Sequence, residues 1–528
     1  MTTRTQAPGA RCVRLLAMLL AGVLMLARPG WADASETLLR ARIASDILST
    51  DPGTKRDENT DAVQLHIVEG LVAFREDTSV GPLLADTVTV NPAGTEYVFR
   101  LRDGVRFHNG APLTAADVVW SLNRYLDPAT RWRCLADVDG RGATKITAVE
   151  EVDPLTVRIK LEAPSALFLA TLARIDCGGT GILHRDSLAA DGGWRAPVGT
   201  GPFKLGRWQP GEYVELERFA DYAARPEPRD GNTGGKMALV DRVRFFVIPD
   251  ASAAKAALLS GAIDVLDGVS PAELAELKGN SSIVLAPQET LGFYAILLQT
   301  TDPALRDVRL RQALALALDT AGIAEAATEG LARANHAAVP RGSPYFAPAL
   351  ERGPAPDPAR AKALLREAGY KGQPLKLVTN KRYPQMYAIG VLAQAMGQSV
   401  GLNIELEVLD WAAQLDRYTR GDFQMMAFSY SARLDPALTF DAFMGAKADA
   451  PRKVWDDPAA QALLRESMAT ADPAVRTAVF ADLHGRMLEQ VPLIVLYNPT
   501  QVSAYRADVT GFKPWPAAQQ RLWGVAVR

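Results

Sequence analysis

Tyr97-Val98-Phe99-Arg100-Leu101, closed by Asp103-Gly104 and followed by Asn109-Gly110-Ala111-Pro112-Leu113-Thr114-Ala115-Ala116-Asp117-Val118-Val119, is the stretch on which the reading of the fold turns. Its first five residues alternate apolar and polar, the period of a half-buried strand. Asp103-Gly104 and Asn109-Gly110 are turn dipeptides. Thr114 and Asp117 have capping-box spacing and predict a helix over Ala115–Tyr125. Strand, turns and helix within one short stretch mark an α/β chain.

Outward from there the same alternation continues. Leu38–Ser45 reads as an opening strand, and Ala62–Leu71 as a helix. Ile146–Val152 and Thr156–Leu161, joined at Asp153-Pro154, read as a hairpin, and Val214–Arg218 and Val243–Ile248 as strands of a larger sheet. Ala251–Ser260 is an Ala-rich helix. From about Gly292 a second αβ unit begins, with an apolar helical face on Val308, Leu310, Leu314 and Leu318. Its further helices are predicted from Pro354–Pro358 to Gly369-Tyr370 and over Ala388–Val400, Trp411–Arg420, Ala459–Ala469 and Ala474–Glu489. Its strands are Leu375–Thr379, Ile404–Leu409 and Gln424–Ser429, and Leu493–Tyr497 comes last. Two α/β lobes are expected.

Composition narrows the function. Of 528 residues 48% are hydrophobic and 22% charged, enough for large cores and too apolar for a disordered chain. Lys plus Arg number 58 against 60 Asp plus Glu, so no basic excess exists to neutralise a nucleic acid. Residues 1–34 read as a secretory signal: Arg4, Arg11 and Arg14 precede a 13-residue apolar run, Leu15–Ala27, with small residues at Ala32-Asp33-Ala34. That run is too short for a membrane span, which needs about 20 apolar residues. Cys12 precedes the apolar run and so cannot be a lipidated residue at the cleavage point. Removal of residues 1–34 takes away four arginines and one aspartate, leaving a charge of −5. Cys134 and Cys177 then remain, either as separate buried thiols or, as expected of an exported protein, as a disulfide.

Catalytic motifs are missing. There is no Gly-x-Ser-x-Gly elbow and no His-Glu-x-x-His pair. Arg229–Lys236 looks like a phosphate loop, but Asp230 and Met237 stand where Gly and Ser or Thr belong, so it reads as a surface loop. None of the five histidines has another His or a Cys within four positions. Glu150-Glu151 would point to opposite faces of a strand, and Asp137-x-Asp139-Gly140 lacks the later ligands of a calcium loop. Neither an enzyme nor a metal or cofactor site is read here.

Several blocks resemble a known family. Val68-Glu69-Gly70-Leu71, Pro82-Leu83-Leu84-Ala85 and Tyr97–Val119 are similar to the opening of the peptide-class solute-binding proteins of ATP-driven importers. This is family 5, which holds the periplasmic oligopeptide, dipeptide, glutathione and nickel binding proteins. Gly199-Thr200-Gly201-Pro202-Phe203, Val247-Ile248-Pro249-Asp250, Gly261-Ala262-Ile263-Asp264, Arg309–Ala313 and Pro492-Leu493-Ile494 continue it in order. The resemblance implies a two-lobe periplasmic-binding-protein fold of type II, cluster C, with an extra subdomain in the first lobe. It places the first lobe at residues 35–80, 196–290 and 491–528, the accessory subdomain at 81–195 and the second lobe at 291–490, after the signal at 1–34. Hinge crossings are expected at Gln288–Leu291 and Val491–Val495.

The same resemblance implies a monomeric receptor that closes on a small peptide or peptide-like solute and delivers it to a permease and ATPase of the inner membrane. Without a lipid anchor it belongs in a periplasm. In peptide-binding relatives an Asp of the second lobe pairs with the ligand amine. Aligned on Asp435-Pro436, that position is Ala432, and Arg433 stands beside it. A guanidinium suits a carboxylate and repels an ammonium. Arg433 is therefore expected either to bind an anionic ligand group or to pair with Asp435 or a surface acid. The further ligand candidates are Tyr430, Trp411, Tyr497, Asn498, Arg56, Asp57, Thr200 and Gly201. Other readings are a receptor for an anionic non-peptide solute such as an amino-acid conjugate or oligosaccharide, nickel capture, a chaperone-like binder, and an exported hydrolase.

Overall fold

The computed structural model describes residues 1–3 and 36–528, apart from 143, 449 and 518 and the side chains of 271 and 272. The expected signal, residues 1–34, falls outside the described residues except for its first three. Met1–Thr37 and Leu38–Arg528 are separate units. Among the described residues, every helix and strand lies in the second.

The alternating stretch is the strand Glu96–Leu101, which buries Tyr97, Phe99 and Leu101 and turns Arg100 to solvent. It sits inside a four-stranded antiparallel sheet between Ala85–Val90 and Thr156–Leu161, with Ile146–Asp153 outermost. The helix Ala115–Leu126 begins at a capping box in which the Thr114 N–H donates to the Asp117 carboxylate at 2.9 Å. It buries Val118, Leu122 and Tyr125 in the core shared with this sheet.

Two larger sheets organise the rest. A seven-stranded sheet runs in the order Ile283–Glu289, Thr500–Arg506, Val265–Leu266, Leu38–Ile43, Arg242–Val247, Tyr213–Arg218, Phe203–Gln209. A five-stranded sheet runs Ile404–Leu409, Leu375–Asn380, Met425–Tyr430, Phe293–Leu298, Leu493–Tyr497. Its first three strands are parallel, and Phe293–Leu298 is antiparallel to both its neighbours. Leu493–Tyr497 is apolar and buried at every position, as a strand covered on both faces must be.

The chain passes between these sheets at residues 290–292 and 498–499. The second passage corrects the one expected at Val491–Val495 and moves the boundary drawn at 491: Leu493–Tyr497 belongs to the five-stranded sheet, paired with Phe293–Leu298. A strand apolar on both faces is stable only inside that two-sided layer. The passages are tied together. The Thr290 N–H donates to Pro499 O at 2.8 Å, and Asn498 Nδ2 donates to Gly292 O at 2.7 Å. The helix expected at Ala62–Leu71 is instead Glu58–Gln64, because Asp57 caps it by accepting from the Thr60 N–H. Gly70 is then free to lie against Gly179 O, where a Cβ would come within 2.2 Å.

Lys236, read as part of a surface loop, is only 2% exposed. Its ammonium pairs with buried Glu69 at 3.3 Å and lies over the Trp523 ring. Beside it His66 is fully buried, with Nδ1 donating to Ala62 O (2.7 Å) and Nε2 accepting from the Leu522 N–H (3.0 Å). Burial lowers the His66 pKa to about 3 and the His108 pKa to about 4. The folded protein thus keeps both rings neutral where the unfolded chain protonates them, below about 6.5. Stability is full above that pH and is lost as pH falls toward 4. Asp61, raised to about 6 by burial, works the other way between about 6 and its unfolded value and offsets one histidine. The unfolding midpoint is therefore expected to fall on acidification from pH 7 to 4.5. A flat denaturation profile over that range would contradict this.

Candidate functional site

The carboxyl ends of Leu375–Asn380, Ile404–Leu409 and Met425–Tyr430 point the same way, toward the two passages, and ligands of open α/β sheets gather at such ends. Tyr430 closes its strand, and Trp411 opens the helix Trp411–Arg420, capped by Asp410. The segment after Tyr430 reaches across to the other half of the molecule, where Leu434 packs against the core of the four-stranded sheet. The halves also touch at Ala166, whose N–H donates to Met468 O (2.8 Å), and at Leu167, buried in the core of the five-stranded half.

Asp435 does not pair with Arg433. It caps the helix Pro436–Phe443 and forms a buried ion pair with Arg476 at 2.7 Å. Arg433 Nη1 donates only to Ser431 Oγ (2.7 Å) and Ala432 O (3.3 Å). Among the described residues no carboxylate lies within ion-pair distance of it. Arg433 keeps contact with solvent, yet the protein around it lowers its pKa by burial; the Asp176 charge opposes that shift and those of Arg174 and Arg133 add to it. Those three residues belong to the first half, so charges of the two halves act on one another at Arg433.

The opposing wall hangs on one covalent link. Cys134 and Cys177 form a disulfide with Cα atoms 5.6 Å apart. Their chain neighbours Arg133 and Asp176 pair at 3.3 Å. Arg174 holds Asp176 with two nitrogens, at 3.0 and 2.8 Å, and reaches Asp137 at 2.7 Å. Arg56 pairs with buried Asp61. Burial works to raise the Asp176 pKa, but the bonds from Arg174 and the charges of Arg174, Arg133 and Arg56 hold it well below the usual carboxylate range.

Of the sequence candidates, Arg433 and Arg56 both feel the Asp176 charge. Tyr430 accepts from the Tyr418 hydroxyl at 3.2 Å. Trp411 stacks on Phe428 and meets Tyr383 edge-on, and Tyr497 stacks on Tyr294; these rings lie at the same end of the five-stranded sheet. The remaining candidates are engaged by the fold. Asp57 is a helix cap. Asn498 clips the passages and accepts from Asn335 Nδ2 at 2.8 Å. Thr200 is buried with its hydroxyl on Glu69 at 3.2 Å, and a Cβ at Gly201 would come within 2.4 Å of His66 O. Sequence reasoning missed Arg133, Arg174, Asp176 and Asp61, although adjacency to the two cysteines marks Arg133 and Asp176. A separate cavity of about 340 Å³, lined by Lys376, Glu407, Arg417 and Gln424 among others, opens elsewhere on this sheet, beside Lys376 and Gln424 at the amino-terminal ends of two of its strands.

Comparison with known proteins identifies the family. Residues 79–450 match the bacterial extracellular solute-binding proteins, family 5 Middle. The chain belongs to that family, whose members are binding proteins and not enzymes and which serve importers with permease and ATPase subunits. It is 24% identical to the glutathione-binding protein GsiB of Escherichia coli K12, over 95% of this chain and 97% of that one. Among solved structures it is similar to HbpA2 from Haemophilus parasuis (25% identity, TM-score 0.81, 93% of this chain and 100% of that one). It is also similar to the binding protein AgaA of A. tumefaciens R10 in complex with agropinic acid (25% identity, TM-score 0.70, 93% and 99%). The fold is thus the two-lobe, mixed α/β fold of periplasmic binding proteins.

Proposed function

We propose that this protein is the periplasmic receptor of an ATP-driven importer and captures a small peptide or peptide-like solute between its lobes, with an anionic group of the solute bound by Arg433. The observation that carries the reading is the state of that guanidinium: among the described residues it has no carboxylate partner, it feels the charges of Asp176, Arg174 and Arg133 from the other half, and Asp435 is occupied by Arg476. Ala432, standing where peptide-binding relatives carry the amine-binding Asp, argues against a free ammonium at that point. A relative named as a glutathione-binding protein and a similar structure in complex with agropinic acid support a carboxylate-bearing solute. Residues 1–34 would direct export, and the lobe cores would be the seven- and five-stranded sheets, with the accessory four-stranded sheet on the first.

Arg433→Ala is expected to weaken binding of anionic peptide-like solutes by about tenfold to a hundredfold, the worth of a charged hydrogen-bonded contact. Calorimetric titration of both proteins with amine-blocked peptides measures it. A true ligand at about 100 times its dissociation constant adds about 2.7 kcal/mol, so thermal unfolding across a solute panel identifies probes for that titration. Equal affinity in the variant would remove Arg433 from the site.

A further inference from the structure

Arg56, Arg133, Arg174 and Arg433 are the four guanidiniums that act with Asp176, Arg433 being brought there by its neighbour Leu434, which packs on the core that holds Cys134 and Cys177; three of the four already hold a carboxylate of the protein. Arg56 has Asp61, Arg133 has Asp176, and Arg174 has both Asp137 and Asp176. Of the four, Arg433 alone has none. Asp176 is the shared member, bonded by Arg133 and Arg174 and only partly exposed. It is also fixed in place, for it precedes Cys177 directly and the disulfide ties that turn to Arg133. After it the backbone takes three successive left-handed residues, Gly178, Gly179 and Thr180. Gly178 lies so close to Pro52 and Gly53 that a Cβ would come within 2.7 Å of each. The packed turn fixes the backbone beneath the carboxylate, and the two bonds from Arg174 hold the carboxylate itself.

We infer that Asp176 is a specificity-determining residue of the crevice: a built-in carboxylate that occupies the first lobe's guanidiniums and leaves Arg433 as the single vacancy for an anion, so that the receptor selects solutes carrying one carboxylate at this end and rejects those carrying two. This deepens the proposed function and rests on its assignment of Arg433. A second ligand carboxylate would find Arg133 and Arg174 already engaged and would meet the Asp176 charge, where like charges repel. Without the Asp176 charge, the same two guanidiniums would form a fork for that second carboxylate.

Titration of the purified protein with N-acetyl-dialanine, which carries one carboxylate, and N-acetyl-alanyl-glutamate, which carries two, tests the inference. The wild-type protein is expected to prefer the monoanion by about tenfold or more, and Asp176→Asn to shift the ratio about tenfold toward the dianion. Should that variant fail to fold, the wild-type ratio stands as a test by itself. So does Arg133→Gln, half-exposed, which strips Asp176 of one partner and is expected to weaken the monoanion severalfold. Equal affinity of the wild-type protein for the two probes, or a ratio that Asp176→Asn leaves unmoved, overturns the role of Asp176 while the Arg433 reading stands. Binding of free dialanine with neither acetylated probe bound overturns the Arg433 reading, and this inference with it.

Discussion

Replacing Asp435 by alanine is expected to destabilise the protein by about 3–5 kcal/mol, the cost of breaking a buried ion pair from one side. Arg476 is 3% exposed, and its Nη2 meets Asp435 at 2.7 Å. Its Nε donates to Ser467 O at 2.9 Å and its Nη1 to the Tyr345 hydroxyl. Burial acts to lower the Arg476 pKa, and the bond and charge of Asp435 outweigh it. With alanine at 435 the guanidinium stays charged, buried and without a counter-ion. The helix Pro436–Phe443 also loses the side chain that accepts from the Ala437 N–H, which adds about 1 kcal/mol. Asp435→Asn separates the two effects, because an amide oxygen still caps but carries no charge. Chemical denaturation of the three proteins gives the order wild type, asparagine, alanine. An alanine variant within about 1 kcal/mol of wild type would show that the pair contributes nothing net, as some buried pairs do.

Removal of the disulfide is the second large effect. Cys134 and Cys177 are 43 residues apart and both fully buried. Closing a loop of that size restricts the unfolded chain by about 4 kcal/mol in the chain-entropy account. The double variant Cys134→Ser, Cys177→Ser is expected to lose about that much stability and to match the wild-type protein unfolded under reducing conditions. Its ligand affinity should fall as well, because Arg133 and Asp176 are the chain neighbours of the two sulfurs. Stability equal to wild type under both conditions would exclude any hold by the link on the first lobe.

Elements whose signals are local were legible from residues alone. Trp411–Arg420 and Leu493–Tyr497 have the expected ends, and Ala115–Leu126 runs one residue beyond its expected end. Each carries its own punctuation: Asp410 before and Gly421 after the first, Pro492 before the second, and Thr114 with Asp117 at the third. The helix around Ala62 was misplaced because the Asp57 cap sets its start, and the residues after it serve instead to bring Gly70 against Gly179, a contact between segments far apart in sequence. The second passage was misplaced for a related reason. The apolar run after Pro492 declares a strand, but which sheet it joins depends on Phe293–Leu298.

The site divides in the same way. Arg433 was found because it departs from a familiar pattern at a fixed distance from Asp435-Pro436. Thr200 and Gly201 looked like ligand donors in a permissive loop, but the glycine is there because the chain runs hard against His66 O. Asp176 and Arg133 were marked only by their cysteine neighbours and Arg174 gave no sign at all, since an ion-pair cluster assembled from residues 56, 133, 137, 174 and 176 exists only after folding.

The two passages between the lobes are short, three residues at 290–292 and two at 498–499, and they are bonded to one another at Thr290–Pro499 and Asn498–Gly292. Two ribbons so joined behave as one axle. They permit the halves to swing about a single line but resist sliding or screwing past each other. The receptor is therefore expected to move along essentially one degree of freedom, and a membrane partner reading it would need to measure only one angle to know whether cargo is aboard.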